Sequence, residues 1–148
     1  MITRVTEADL PELLPLLRAY CDFYEVSPSD DDLLALARAL IADSEREGVQ
    51  LIARSDGAAV GFATIYWSWA TTIAARIGVM NDLYVAPAAR GTGTAEALIQ
   101  ACAEESRRHG AAELTWQTAP DNERAQRVYD RVGAKRSQWV DYSLSIRP

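Results

Sequence analysis

The chain of 148 residues is poor in the side chains that build metal sites and disulfides. It has one histidine and two cysteines, too few for the usual structural zinc site. Cys21 and Cys102 each lie on the apolar face of a predicted helix, which favours buried free thiols over a disulfide or a catalytic nucleophile. We therefore expect no metal ion.

The sequence also lacks long apolar runs and an excess of positive charge. No window reaches the ~18 to 20 apolar residues of a membrane span, and the first residues lack the apolar core of a signal peptide. The net charge of −6 argues against nucleic acid as a partner, because binding to the phosphate backbone needs a basic surface. We predict a cytoplasmic protein with neither nucleic acid nor membrane as its partner. A cationic substrate such as an amine suits the negative charge.

No repeat, low-complexity tract or linker divides the chain. Its length suits a single domain over residues 1–148, and a hydrophobic fraction of 49% is ordinary for a globular protein. Apolar residues recur at helical spacing in four segments and alternate at strand spacing in several others. The predicted helices start near Thr6 or Asp9, at Ser29, after Gly93 and at Asn122. The predicted strands are Met1–Val5, Gln50–Arg54, Ala59–Trp67, Arg76–Val85, Glu113–Thr118 and Val140–Ile146.

This order of elements predicts an α+β fold. We expect a mixed, mostly antiparallel sheet of about six to seven strands with about four helices. Leu83–Val85 should run parallel to Glu113–Thr118, because a helix joins the two segments.

The most informative stretch runs from Asn81 to Ile99. An apolar strand ends at Pro87, a turn of small residues follows, and a helix then begins. Gly91 and Gly93 remove the Cβ atoms that would keep a ligand from the backbone. The first N–H groups of the helix have no intrahelical partner and lie at the positive end of its dipole, so the turn can hold a phosphate or diphosphate, with Arg90 adding a charge.

Two common nucleotide motifs fit this turn badly. The P-loop ends in Gly-Lys-Ser/Thr, whereas Gly93 is followed by Thr94 and Ala95. The dinucleotide fingerprint needs a small residue where Glu96 stands and an acidic residue at the end of the next strand, whereas Glu113 opens that strand.

The turn instead resembles the acyl-CoA loop of the GCN5-related N-acetyltransferases (the GNAT superfamily). Arg90-Gly91-Thr92-Gly93-Thr94-Ala95 is similar to the Arg/Gln-x-x-Gly-x-Gly/Ala pattern of that loop. The segment from Asn122 to Ala134 resembles a second signature, Asn-x-x-Ala-x-x-x-Tyr followed by Gly-Ala. The resemblance implies a GNAT-like α/β sandwich that binds acetyl-CoA and transfers an acetyl group to an amine.

The resemblance also implies roles for particular residues. The diphosphate of CoA would meet the loop donors, listed in full as Arg90, Gly91, Thr92, Gly93, Thr94 and Ala95. A bulge would splay the preceding strand from its parallel neighbour and leave amides near Leu83, Tyr84 and Val85 for the cofactor. Tyr129 would give a proton or hydrogen bond to the departing thiolate, or simply pack on its helix. Asn122 would bind the cofactor, cap its helix, or do both.

The general base is left open by the sequence. Met80–Val85 looks like a strand of polyamine and related small-amine acetyltransferases, in which a glutamate stands at the position of Asn81. An amide cannot act as a base, so Asp82, Glu25 and a chain of water molecules remain. Strand alternation sends Asp82 to the face opposite Asn81 unless a bulge intervenes.

Four aromatic residues could form a wall near these acids, and aromatic faces with carboxylates suit an organic cation. Tyr24, Tyr66, Trp67 and Trp69 are therefore candidates for an acceptor wall, or else ordinary core and surface residues. We predict an N-acetyltransferase that uses direct attack of a primary amine in a ternary complex.

Two alternatives stay open: a catalytically weak acyl-CoA-binding regulatory or sensor module of the same fold, and an interaction protein without a CoA site. The acceptor and the oligomeric state are not fixed by the sequence, although homodimers are frequent in the family it resembles.

Overall fold

The computed structural model describes all residues from Met1 to Pro148. Its strands are β1 (Ile2–Arg4), β2 (Gly48–Ser55), β3 (Ala58–Ala70), β4 (Ala75–Val85) and β5 (Glu113–Thr115). Its helices are α1 (Leu10–Phe23), α2 (Asp30–Ala42), α3 (Thr94–Arg108) and α4 (Glu123–Arg131). Short 3-10 turns lie at Glu7–Asp9, Thr71–Ile73 and Pro87–Ala89. No helix is both long enough and apolar enough to cross a bilayer.

The chain divides into two units, residues 1–117 and residues 118–148. The first contains the whole sheet and α1 to α3, and the second contains α4 and the C-terminal segment. One domain over residues 1–148 stays a prediction.

The five strands form one sheet in the order β1-β2-β3-β4-β5. The first three pairings are antiparallel, and β4 pairs with β5 in parallel through Ile77–Val79 and Glu113–Thr115. The predicted α+β class, four helices and one parallel pair of neighbouring strands are confirmed. The predicted pairing of Leu83–Val85 with Glu113–Thr118 is wrong, because the parallel ladder joins Ile77–Val79 to Glu113–Thr115. The predicted count of six to seven strands is wrong, because Val140–Ile146 forms no strand. Alternating apolar residues give a segment one apolar face, but a β-strand also needs a neighbouring strand whose backbone pairs with its N–H and C=O groups.

Helices cover both faces of the sheet. Leu13 and Leu17 of α1 and Ala37 of α2 are buried with Ile52 and Phe62 of the sheet. The opposite face carries α3, whose buried residues are Leu98, Ile99, Cys102, Glu105 and Ser106. Gly78 lets α3 approach closely, because a Cβ there would lie 2.4 Å from Ser106 Oγ. The sheet therefore has an α1/α2 face and an α3 face.

Helices α2 and α4 begin at capping residues that the sequence indicates. Ser29 caps α2, since its Oγ accepts a hydrogen bond of 3.1 Å from the N–H of Asp32. Three aspartates fill the first turn of α2, where negative charge stabilises the helix dipole. Asn122 caps α4 in the same way, accepting from the N–H of Ala125 at 3.2 Å.

Candidate functional site

The loop between β4 and α3 leaves its backbone open to close approach by a ligand. Gly91 and Gly93 have φ of 78° and 85°, a left-handed conformation that favours glycine. A Cβ on either residue would meet nothing within 4 Å, so both face open space. Gly93 is the N-cap of α3 and offers no side-chain cap, and its carbonyl accepts the first helical bond, from Ala97. The N–H groups of Thr94 and Ala95 therefore point out of the helix toward the loop.

Side chains of the loop hold its shape. The Thr92 hydroxyl donates to the carbonyl of Ala89 at 2.6 Å and lies 2.9 Å from the Thr94 hydroxyl. Arg90 Nε donates to the carbonyl of Val85 at 3.0 Å, which holds the guanidinium beside the end of β4. Outward N–H groups, a helix N-terminus and a fixed cation together fit a diphosphate.

Beyond Val79, the outer edge of β4 has no strand partner, because β5 pairs only with Ile77–Val79. The N–H of Ala86 donates to the carbonyl of Val60 on β3. Because backbone groups alternate along a strand, the N–H groups of Leu83 and Val85 point to the opposite, outer edge. The contact of Arg90 with the Val85 carbonyl agrees with this direction. The structure therefore turns two amides toward the unpaired edge beside the loop.

Tyr84 does not contribute such an amide, which corrects the prediction for this residue. It is the register partner of Phe62, and its N–H points toward β3 by the same alternation. Its ring lies on the α1/α2 face, with its centroid 6.2 Å from that of Phe62. The direction of each amide depends on the pairing of β4 with β3, which the sequence does not specify.

A bulge at Asn81 changes the face on which β4 presents its side chains. Thr64 pairs with Asp82, whereas the next residue of β3, Ile65, pairs with Met80, so Asn81 has no partner. An extra residue of this kind reverses the alternation. Met80 stays with Ile65 on the α3 face, and Asp82 joins Thr64 on the α1/α2 face. The bulge therefore places the Asp82 side chain on the same face of the sheet as α1.

Tyrosines surround the Asp82 carboxylate on this face. Asn81 Nδ2 donates to Asp82 Oδ1 at 2.9 Å, and the Tyr20 hydroxyl donates to the carbonyl of Asn81 at 3.5 Å. Burial, helped by the negative charge of Asp82, raises the pKa of Tyr66 to about 12 and raises the pKa of Tyr20 as well. The ring of Tyr24 lies 5.0 Å from that of Tyr20. The arrangement is one carboxylate next to neutral phenol groups.

Tyr20 is a site residue that sequence reasoning missed. It lies one turn before Tyr24 on α1, and this spacing of four residues was the available signal. Its ring also packs edge-on against Phe62, with centroids 5.7 Å apart, which ties α1 to the sheet at the site.

The predicted aromatic wall is only partly present. Tyr66 and Tyr24 lie on the side of Asp82, and Glu25 is exposed just beyond α1 in a left-handed conformation with φ of 56°. Trp67 was predicted wrongly. It lies on the α3 face, stacks on His109 with centroids 4.0 Å apart and donates from Nε1 to the carbonyl of Ser44 at 2.8 Å. Successive strand residues point to opposite faces, so Tyr66 and Trp67 cannot line one wall.

Trp69, near the end of β3, is exposed and does not form part of a buried wall. The guanidinium carbon of Arg76 lies 5.0 Å from the centre of its ring, a cation–π contact at the surface.

In the second unit, Asn122 and Tyr129 lie at the start and near the end of α4. The Asn122 side chain makes the cap described above, so its structural role is shown and its cofactor role stays a prediction. Tyr129 is half-buried, and its carbonyl accepts from the N–H of Ala134. Its catalytic role likewise stays a prediction.

The fold and the loop define a class of protein: an α+β sandwich with an open glycine turn at the N-terminus of α3, beside the part of β4 that β5 does not pair. The family model described as acetyltransferase (GNAT) family matches residues 12–134. The chain belongs to this family and is an acyltransferase, and acetyl-CoA is the cofactor that GNAT acetyltransferases use. Because the chain belongs to this family, the prediction of acetyl-CoA is confirmed.

Relatives agree with the family assignment. The uncharacterized N-acetyltransferase YhfO of Bacillus subtilis is 30% identical over 98% of this chain and 97% of its own length. Thialysine N-epsilon-acetyltransferase of Bos taurus is 28% identical over 91% of this chain and 84% of its own length. A solved aminoglycoside N-acetyltransferase in complex with CoA superposes with a TM-score of 0.87, covering 99% of this chain and 95% of that one, at 21% identity.

Proposed function

We propose that this acetyltransferase acetylates a small, cationic primary amine that binds beside Asp82 on the α1/α2 face. The observation that carries the proposal is the bulge at Asn81, which brings Asp82 to this face next to Tyr20 and Tyr66. A carboxylate attracts an ammonium group, and neighbouring aromatic rings stabilise an organic cation. Nothing in this geometry requires a long or polymeric substrate.

The loop residues and the outer edge of β4 hold the donor. Acetyl-CoA, when bound, supplies an acetyl group activated as a thioester. The N–H groups of Thr94 and Ala95, with Arg90, would hold its diphosphate. The outward N–H of Leu83 or Val85 would donate to the acyl oxygen, where negative charge develops during the reaction.

Asp82 is the proposed partner of the amine. It would first bind the ammonium and then accept its proton, directly or through a water molecule, because only a neutral amine can attack. The hydrogen bond from Asn81 Nδ2 fixes the orientation of the carboxylate. Asn81 therefore acts in positioning Asp82, a role that an amide can fill.

Direct attack also agrees with the state of the thiols. Cys21 and Cys102 are free and buried. Burial raises the pKa of Cys102 to about 12 and raises that of Cys21. A thiol must be deprotonated to act as a nucleophile, so neither cysteine is suited to carry an acetyl group. Tyr129 remains the proposed proton donor to the departing thiolate, and a cytoplasmic location stays a prediction.

The relatives support a small amine acceptor without naming it for this chain. The bovine relative is named for the acetylation of an ε-amino group of thialysine, and the structural neighbour is named an aminoglycoside N-acetyltransferase. Both names describe amines that are cations near neutral pH.

A panel assay tests the proposal. Purified protein with acetyl-CoA is mixed separately with polyamines, lysine and thialysine, aminoglycosides, and peptides with a free N-terminus, while thiol release is followed. We expect turnover with at least one small amine and much slower turnover with peptides. Stabilisation of the protein by CoA without turnover on any amine would favour the alternative of a binding module, and a clear preference for peptides would contradict the small acceptor.

A further inference from the structure

A cavity of about 250 Å³ lies between α2 and the end of the sheet formed by β1 and β2. Most of its lining is apolar, and the lining includes Val5, Ala37, Leu40, Ile41, Ser44 and Gln50. The lining contains no residue of the loop after β4 and none of the tyrosines beside Asp82. The cavity is therefore a third region, distinct from those proposed for acetyl-CoA and the amine.

One polar group in this lining lacks a hydrogen-bond partner. Gln50 is only 3% exposed, and its Nε2 donates to Thr64 Oγ1 at 3.2 Å. The other end of the same amide, Oε1, is buried and accepts from no group of the protein. A buried acceptor without a donor destabilises a fold, and native structures rarely contain one. Gln50 Oε1 therefore needs a donor from outside the chain.

The Gln50 side chain lies on the same face of the sheet as the cavity. Gln50 and Ile52 are two residues apart on β2, so their side chains share a face. Ile52 packs in one core cluster with Val5 and Ala37, which also line the cavity. The free acceptor is therefore directed toward the α1/α2 face, where the cavity lies.

We propose that this cavity binds a small neutral molecule with an apolar body and one N–H or O–H group that donates to Gln50 Oε1. A charged ligand does not suit the site, because the buried lining offers no opposite charge. Arg4 is the one charged residue of the lining, and its guanidinium is paired with Glu105 of α3.

The volume indicates the size of the ligand. A water molecule takes up about 30 Å³, whereas an apolar cavity of about 150 Å³ can hold benzene. The volume of about 250 Å³ therefore suits a body of two fused rings. Indole has this size and one N–H donor. Benzofuran has the same shape but an oxygen in place of the N–H, so the two probes differ at the group that would meet Gln50.

Binding of the two probes to the full chain tests the proposal. Indole and benzofuran are titrated separately, and their dissociation constants are measured by ligand-observed NMR. We expect indole to bind with a dissociation constant of about 100 µM or lower, in line with the affinity per atom of very small ligands. Benzofuran should bind at least about tenfold more weakly, because it leaves Gln50 Oε1 without a donor.

Three variants locate the site. Gln50→Leu keeps the approximate size of the side chain but removes the acceptor, so indole should lose its advantage of about tenfold over benzofuran. Ile41→Trp fills part of the cavity and should weaken binding of both probes by at least about tenfold. Leu36→Trp is the matched control, because Leu36 is on the same helix but is exposed and does not line the cavity. All three variants should bind CoA as the wild type does, which shows that they are folded.

Three results would overturn the proposal. No binding of indole at concentrations up to about 1 mM would mean that water alone reaches Gln50. Benzofuran binding as tightly as indole, or a preference for indole that survives in Gln50→Leu, would remove the proposed hydrogen bond. Undiminished binding in Ile41→Trp would place the indole elsewhere on the protein.

Discussion

The loop after β4 and the acceptor side of β4 differ in how their geometry is specified. The loop depends on residues close in sequence: Gly91 and Gly93 adopt left-handed φ, and Thr92 bonds back to Ala89 three positions away. The acceptor side brings together Tyr20 and Asn81, which are 61 positions apart. Backbone chemistry therefore fixes the cofactor side locally, whereas tertiary packing and one bulge fix the acceptor side. Mutations should separate the two.

The largest effect is expected from Gly93→Val in the loop. The substitution strains a residue with φ of 85° and places a branched side chain in the open space proposed for the diphosphate. The dissociation constant for CoA should rise by about 100-fold or more, measured by calorimetry. Gly110→Val is the control, because Gly110 has φ of 82° and open space but lies just beyond the other end of α3. Equal loss of CoA binding in both variants would show that strain alone is responsible.

Asp82→Asn should have the next largest effect, on the acceptor side only. We expect kcat/KM for the amine to fall about 100-fold, because the variant loses both the charge and the proton acceptor. CoA affinity should change less than about twofold, since the loop is untouched. Glu25→Gln removes the same charge from the rival candidate and should change kcat/KM little. If Glu25→Gln were the damaging variant, the base would be Glu25, and if neither mattered, water would be the remaining route.

Tyr129→Phe should have a smaller effect that falls on kcat. A thiol has an ordinary pKa near 8.5 and a phenol one near 10, so the thiolate can leave without full proton transfer, and we expect about a tenfold loss of kcat. CoA affinity should be unchanged within error. Tyr142→Phe is the control, since it removes a hydroxyl that is almost fully exposed. Wild-type turnover in Tyr129→Phe would remove this residue from the mechanism.

The smallest effect concerns stability far from both regions. Hydrogen bonds from the Thr6 hydroxyl and N–H to Asp9, each 2.7 Å, together with Arg54, lower the pKa of the Asp9 carboxyl. A lowered pKa stabilises the fold above the unfolded value, near 3.9, and the stabilisation is lost as the pH falls through the folded value. Asp9→Asn should therefore lower Tm by about 2–4 °C at pH 7 and by progressively less in acid.

The control for this prediction is Asp56→Asn, in the exposed hairpin turn, which should not change Tm at either pH. Activity below the melting temperature should be normal in Asp9→Asn. A reduced kcat there would mean that the start of α1, where Asp9 is the N-cap, is coupled to the site.

Much of the fold could be predicted because its signals are local. Caps such as Ser29 and Asn122, the helical spacing of Leu98, Ile99 and Cys102, and the two loop glycines all lie within a few residues of the structure that they determine. The terminal strand could not be predicted correctly, because alternation along residues 140–146 defines two faces but does not specify a neighbouring strand to pair with.

The acceptor side could be predicted only in part for a related reason. The residue types near Asp82 were visible, but their faces depend on the register between β3 and β4. The amide of Tyr84 was assigned the wrong direction, because this direction depends on the pairing of β4 with β3. The placing of Trp67 beside Tyr66 overlooked that successive strand residues point to opposite faces. Tyr20 was missed because α1 has to be docked before its contact with Asn81 exists.

The unpaired residue in β4 restricts how the length of this strand can vary. Upstream of it Gly78 and Met80 face α3, and downstream Leu83 and Val85 do. Deleting Asn81, or inserting one more residue beside it, would move the side chains on one side of the bulge to the opposite face of the sheet. The residues affected would be either those that pack on α3 upstream of Asn81 or those of the proposed site downstream of it. Only substitutions, or insertions in pairs, leave both halves in place, so acceptor preference can be redesigned here by exchanging side chains but not by resizing the strand.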